Sequence, residues 1–240
     1  MILPNGERVL GAACGEGWSA VMTRWVFFLS LFHLVKITLL SVQFKFVKNL
    51  NKSFAFFSRS RRFLRLFSSG GNQNQLIWLK GDPVTMVGRG RFLAVFYHET
   101  SPLANKTQQL GYCLWDAKNL QMISRGSVSC VSTGSSISWV GFNNDFSLVV
   151  MDSDGMLSML VATGPCDNAG TTFWEWVPVL DTIGLRKSTD DNYWPITLHN
   201  GTMVCIPLKG GMTYPDASRR PVTSTLGLRM PFARSILSKK

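Results

Sequence analysis

Alternating apolar and polar positions predict short β-strands over most of the chain. Two tight turns, Asp152-Ser153-Asp154-Gly155 and Asn200-Gly201, each lie between such strands. A type I′ turn needs positive φ at both central residues, and Asn and Gly adopt this conformation at least cost. The pattern therefore predicts an all-β chain with at least two hairpins, whose strands are 147–151 with 156–161, and 193–198 with 202–208.

The turns also recur at a spacing that indicates a repeat. Gly155 and Gly201 are 46 residues apart, and Gly71, in a third predicted hairpin, precedes Gly155 by two steps of 42. One four-stranded blade of a β-propeller takes roughly 40–45 residues. We therefore predict a partial β-propeller with WD40-like blades of four antiparallel strands. Strands 92–97 and 111–115 belong to the blade in between.

Residues 24–62 interrupt this pattern. They contain no Gly, Pro or acidic residue, but eight basic residues and eight of the sixteen Phe. The stretch 25–42 is apolar enough for a membrane helix to be considered, although Lys36 near its middle would cost about 3 kcal/mol on insertion. The segment can also be explained as a native amphipathic insert, or as read-through of T-rich, A-rich untranslated DNA. We favour a foreign segment, because 17–23 and 63–71 look like neighbouring strands of one blade.

Composition supports a folded chain. With 45% hydrophobic residues among 240, the chain can bury a core. The pattern divides it into four parts: first propeller strands at 1–23, the apolar and basic insert at 24–62, propeller blades at 63–236 and a basic tail at 237–240.

The formal net charge of +11 is concentrated in the insert, which holds eight of the 25 basic residues without an acid. We therefore expect any DNA binding to be weak, independent of sequence and carried by this segment. The five Cys residues form no CxxC pair and have no His at ligand spacing. This favours free thiols in a reducing compartment and argues against a Cys/His metal site.

No catalytic, cofactor-binding or metal-binding residues are predicted, so we expect a protein that is not an enzyme. Asp152 and Asp154 bracket a hairpin turn, where Asp favours the turn backbone itself. The segment TGSSIS lacks the GxSxG elbow of a serine nucleophile. The candidate partner or nucleic-acid contacts are the acidic pair Asp190 and Asp191 and the basic pair Arg219 and Arg220.

Five segments carry a family likeness. They are LKGDPVTMVGRGRFLAVFYHE, SWVGFNNDFSLVVMDSDGMLSML, WEWVPVLDT, DNYWPITLHNGTMVCIPLKGG and YPDASRRPVTSTLGLRMPFA, in this order. Together they resemble the middle β-propeller of a replisome adaptor family. Its members are called WD repeat and HMG-box DNA-binding, chromosome transmission fidelity or acidic nucleoplasmic DNA-binding proteins. The resemblance covers residues 1–23 and 63–236.

This resemblance implies a nuclear interaction scaffold that couples the replicative helicase to DNA polymerase alpha and to cohesion and chromatin factors. In the parent family the assembly is a homotrimer. The chain departs from the family pattern, since we find no amino-terminal WD-repeat propeller, no helical bundle and no HMG box. We therefore expect a truncated fragment that lacks the main partner-docking bundle. The alternative is a membrane-tethered, propeller-like binding protein anchored by 25–42.

Overall fold

The computed structural model describes residues 7–15, 18–25, 54–58, 63–68, 72–103, 107–163, 172–216 and 220–229. Within these ranges the chain forms sixteen β-strands in four sheets, and the only helix is a short 3-10 turn at Ile183–Leu185. The prediction of an all-β fold is confirmed.

The strands follow one another in chain order within each sheet. The first sheet contains β1 (Glu7–Gly15), β2 (Trp18–Trp25), β3 (Phe54–Ser58), β4 (Phe63–Phe67) and β5 (Gln73–Trp78). The second contains β6 (Pro83–Arg89), β7 (Phe92–His98), β8 (Leu110–Asp116) and β9 (Gln121–Ser127). The third contains β10 (Ile137–Phe142), β11 (Leu148–Asp152), β12 (Met156–Thr163) and β13 (Phe173–Asp181). The fourth contains β14 (Asn192–His199), β15 (Thr202–Leu208) and β16 (Ser224–Gly227).

The second and third sheets have the blade topology that was predicted. In each, four strands pair with their chain neighbours in the antiparallel sense. The first strands of the sheets also lie next to one another: β1 contacts β6, β6 contacts β10, and β10 contacts β14. The sheets therefore succeed each other along a common inner side, as the blades of a propeller do.

The predicted repeat was wrong in phase and length, because its turn glycines are not equivalent. Gly155 joins the second and third strands of one sheet, whereas Gly201 joins the first and second strands of the next. Equivalent first strands begin at Pro83, Ile137 and Asn192, so the true step is longer than the spacing of the two glycines. The additional residues of each repeat lie in the loops within and between the sheets. The spacing between the two turn glycines does not include all of these loops.

The sequence pattern also predicts a strand within 127–138, a turn at 88–90 and a strand over 221–230, and each of these needs correction. In 127–138 only the two ends are strands, since β9 ends at Ser127 and β10 begins at Ile137. The turn is shifted, because Gly88 and Arg89 still belong to β6. The third strand shortens to β16, which begins at Ser224, after Pro221, a residue without a backbone N–H donor.

The first sheet has five strands because β3, which lies inside the 24–62 segment, is inserted between β2 and β4. It pairs in parallel with β2 and antiparallel with β4. The two strands predicted to be neighbours thus share a sheet but are not hydrogen-bonded to each other. The rest of the predicted membrane-like or helical stretch, 26–53 and 59–62, lies outside the described residues. Among the residues that are described, no helix has the length and apolar character to cross a membrane.

The core lies between successive sheets. β7 is buried on both faces, and its alternate residues serve two different clusters: Leu93 and Val95 pack toward the first sheet, whereas Ala94 and Phe96 pack toward the third. Successive side chains of a strand point to opposite faces, so a strand covered on both sides has a continuous apolar run in its sequence. A third cluster, which includes Leu157, lies between the third and fourth sheets.

Candidate functional site

The inner edges of the first two sheets are joined by a buried tryptophan. The indole N–H of Trp18 donates a hydrogen bond to the Gly90 carbonyl at 2.7 Å. A Cβ atom added to Gly88 would lie 1.8 Å from the Trp18 ring. Gly88 therefore makes room for this ring. The sequence pattern predicts only a turn at Gly88-Arg89-Gly90, so it does not show this packing role.

A second contact network ties the second sheet to the third and fourth. The guanidinium of Arg89 donates hydrogen bonds to the Phe142 carbonyl and to Oδ1 of Asn144, both at 2.8 Å. The same guanidinium lies 5.9 Å from the ring centroid of Phe146, and Asn144 contacts the ring of His199. These side chains hold the blades together. The residues that they join are far apart along the chain, so no local sequence spacing predicts these contacts.

The carboxylates of Asp152 and Asp154 both accept hydrogen bonds from nearby residues. The buried carboxylate of Asp152 accepts hydrogen bonds from the Ser132 hydroxyl at 2.8 Å and the Met156 N–H at 2.9 Å. Asp154 accepts one from the Ser135 hydroxyl at 2.5 Å. The Asp152 carboxylate therefore stabilises the backbone of its own turn, in agreement with the interpretation made from sequence, whereas the Asp154 carboxylate bonds to the side chain of Ser135.

The thiols of Cys113 and Cys205, which are buried, and of Cys130, which is half-buried, are poor nucleophiles. Burial raises the pKa of the Cys130 thiol to about 12 and that of Cys205 to about 11, and it also raises the pKa of Cys113. Because the thiolate is the reactive form, these groups are protonated and unreactive at neutral pH. Among the described residues, no group of three or more His, Cys, Asp or Glu side chains could hold a metal ion.

Of the four predicted contact residues, three lie in one region beside the fourth sheet. Asp190 and Asp191 close an exposed turn, and the Asp190 carbonyl accepts a hydrogen bond from the Gly211 N–H at 2.9 Å. Arg220 is exposed and lines a groove next to β15. Arg219 lies outside the described residues. The loop after β15 thus contacts the acidic turn through Gly211 and contributes Arg220 to the groove.

The groove beside β15, which we call the β15 groove, has a volume of about 470 Å³. Its floor is the end of β15 and its walls come from the loop that leads to β16. The lining residues are Ile206, Pro207, Leu208, Lys209, Met212, Pro215, Asp216, Arg220, Pro221 and Val222. Apart from Arg220, sequence reasoning missed this site, because its walls come from an irregular loop without periodicity.

A second groove, of about 500 Å³, lies between the outer strands β9 and β13. Tyr112 packs edge-on against Trp176 with ring centroids 5.3 Å apart, and its hydroxyl bonds to that of Ser124. The indole nitrogen of Trp176 is buried and has no hydrogen-bond partner in the described part of the chain. This groove offers aromatic surface and one unsatisfied donor. Arg125 and Glu175 both line it, so their opposite charges do not favour a partner of either sign.

Comparison with known proteins identifies a family and several much longer relatives. Residues 1–232 match the family described as "Minichromosome loss protein, Mcl1, middle region". The chain is 30% identical over 178 residues to Protein ENHANCER OF LHP1 1 of Arabidopsis thaliana, with 74% of this chain and 18% of that protein covered. It is 29% identical over 240 residues to WD repeat and HMG-box DNA-binding protein 1 of Homo sapiens, with 99% and 17% covered.

A yeast relative is also similar. Minichromosome loss protein 1 of Schizosaccharomyces pombe is 30% identical over 125 residues, which cover 51% of this chain and 15% of that protein. The chain thus spans less than a fifth of the length of these relatives. Among solved structures, HIRA(644-1017) aligns with a TM-score of 0.33 and 18% identity over 49% of this chain and 33% of that one, too distant to bear on the fold.

Proposed function

The chain belongs to the family of the middle region of the minichromosome loss protein Mcl1, and we propose that it acts as a non-enzymatic interaction scaffold in DNA replication. The observation that carries this proposal is the family match over residues 1–232. The chemistry of the described side chains is consistent with a non-enzymatic role. The Cys130 and Cys205 thiols are protonated at neutral pH, and the buried Asp152 carboxylate accepts a hydrogen bond within a turn. The surfaces that remain for function include the two grooves described above and the loops between blades.

The finer part of the proposal concerns partners and location. Two relatives are named as DNA-binding or minichromosome loss proteins, and the family likeness implies contact with the replicative helicase, DNA polymerase alpha and cohesion or chromatin factors in the nucleus. We propose the same partners for this chain, and a homotrimer as in the parent family. Because the chain spans about a sixth of the human relative, we expect it to contribute one binding module rather than the full coupling activity.

A tagged full chain, expressed in dividing cells and crosslinked during S phase, tests this proposal. We expect nuclear signal and enrichment of helicase or polymerase alpha subunits over the tag alone. A variant with Trp18→Ala, which disrupts the packing of the first two sheets, is the matched control and should lose the enrichment. Association with membranes that resists carbonate, without replication proteins, would contradict the proposal and favour the tethered alternative.

A further inference from the structure

The β15 groove lies where the fourth sheet is incomplete. β16 pairs only with Thr202–Cys205 of β15, so within the described part of the chain Ile206–Leu208 have no partner strand on that side. The Leu228 N–H donates to the Gly201 carbonyl, so alternate residues of β15 counted from Gly201 direct their backbone groups to the β16 side. Pro207 is one of these residues, whereas Ile206 and Leu208 direct their backbone groups to β14. The free edge therefore offers an incoming extended chain one acceptor, the Pro207 carbonyl, and no N–H donor.

The walls of the groove expose apolar side chains. Val222 is 80% exposed and Met212 is 46% exposed. Tyr214, in the same loop, is 70% exposed but lies against Trp194 with ring centroids 5.6 Å apart and does not line the groove. Scattered single apolar residues on a surface need no explanation, but a group that lines one concavity marks a binding site. Met212 and Val222 would be covered by a partner that supplies its own apolar side chain.

The charges at the groove select the kind of partner. Lys209 and Arg220 are exposed at its rim, and neither forms an ion pair with any residue that the structure describes. Among the lining residues Asp216 is the only acid, and it is already engaged in an interaction. Two such cations beside apolar walls are complementary to carboxylates that flank an aliphatic side chain.

We propose that the β15 groove binds an extended acidic segment of a partner protein. An apolar side chain of the segment enters the concavity lined by Met212 and Val222, and flanking carboxylates meet Lys209 and Arg220. The Pro207 carbonyl accepts a hydrogen bond from the backbone of the segment. This inference rests on the proposed scaffold function and adds the chemistry of the partner. A nucleic acid fits less well, because most of the lining residues are Pro, Met, Val, Ile or Leu and none of them is an aromatic that could stack on a base.

Fluorescence anisotropy with the purified full chain tests the proposal. The probe is a labelled, strand-forming peptide, Glu-Asp-Val-Ile-Val-Asp-Glu. One reference peptide carries Gln and Asn in place of the acids, and the other carries Ser in place of Val and Ile. We expect the probe to bind and both reference peptides to bind at least about tenfold more weakly. Val222→Asp and the double change Lys209→Glu with Arg220→Glu should each weaken binding of the probe about tenfold or more.

Matched controls keep the result specific to this groove. Phe173→Asp places the same charge on an exposed apolar residue of the other groove, and Lys118→Glu reverses an exposed cation elsewhere. Both should change the Kd less than about twofold, and circular dichroism checks that every variant keeps its fold. Equal binding of the amide reference peptide, or equal loss in the Phe173→Asp variant, would overturn the proposal.

Two further outcomes are decisive. If Val222→Asp converts an oligomer of the chain into a monomer while the peptide does not bind, a second copy occupies the groove and the proposal is wrong. If a single-stranded oligonucleotide binds more tightly than the peptide and loses affinity on Arg220→Glu, the partner is a nucleic acid and the proposal is also wrong. A negative result in the peptide-binding experiment does not change the result of crosslinking in dividing cells. The groove proposal and the scaffold function are therefore tested independently.

Discussion

The packing of Trp18 against Gly88 allows the contact between the first two sheets to be tested quantitatively. The Trp18 side chain is 2% exposed. Trp18→Ala removes a buried indole together with its hydrogen bond to Gly90, and we expect the free energy of unfolding to fall by about 3–5 kcal/mol. Gly88→Ala places a methyl group 1.8 Å from the ring, so the ring or the strand must shift, at a cost of about 1–3 kcal/mol.

The double variant distinguishes direct contact from two independent effects. Once the indole is gone, the methyl group added by Gly88→Ala has free space, so this change should then cost little and the coupling should reach about 1–3 kcal/mol. Urea unfolding followed by far-ultraviolet circular dichroism measures each free energy, with Trp18→Phe as a milder change if Trp18→Ala does not fold. Gly184→Ala is the control, since its Cβ meets nothing within 4 Å. Costs that add to within about 0.5 kcal/mol would refute the contact.

Three other predictions concern the insert, a turn and a thiol. Replacing residues 26–62 with Asn-Gly lets β2 and β4 form a two-residue hairpin. We expect this change to raise both the Tm in differential scanning fluorimetry and the soluble yield. A lower Tm would show that the segment stabilises the fold. Asp152→Ala leaves the Met156 N–H and the Ser132 hydroxyl unsatisfied and should cost about 1–3 kcal/mol in urea unfolding, whereas Glu175→Ala, an exposed residue, should cost less than about 0.5 kcal/mol. Burial raises the pKa of Cys205 from 9.0 to about 11. The stability that this thiol contributes is therefore complete below pH 9 and lost as the pH rises towards 11. The advantage of the native chain over Cys205→Ala should shrink across that window, and an advantage independent of pH would contradict the assignment.

Strands and tight turns were predictable because they depend on local chemistry. Asn200 and Gly201 have φ of +48° and +70°, as the type I′ turn requires, and β14 and β15 pair around them. In contrast, local chemistry does not predict which turns occupy equivalent positions in successive blades. Gly155 and Gly201 are both good turn residues, yet which turn of a blade each one occupies depends on pairing with distant strands, and loops lengthen the true repeat beyond the spacing of these two glycines.

The candidate site was less predictable than the fold. Arg220 was singled out as an exposed cation, and the structure places it at the rim of the β15 groove. The groove itself depends on where β16 stops pairing with β15, at Cys205 opposite Ser224. That register is a long-range property of the sheet. The hydrophobicity pattern predicts a continuous strand over 221–230, so it does not indicate that Val222 lies exposed in a loop.

The strand directions of the first sheet bear on the origin of the 24–62 segment. β2 is parallel to β3 and β3 is antiparallel to β4, so β2 and β4 run in opposite directions. Without β3 they could pair in the antiparallel sense that joins the second and third strands of the next sheets, β7 with β8 and β11 with β12. A parallel neighbour needs a crossover of roughly a dozen or more residues, and the stretch between Trp25 and Phe54 is long enough to supply it. We therefore infer that a four-stranded blade of β1, β2, β4 and β5 is complete by itself, and that β3 occupies a place which the blade does not need.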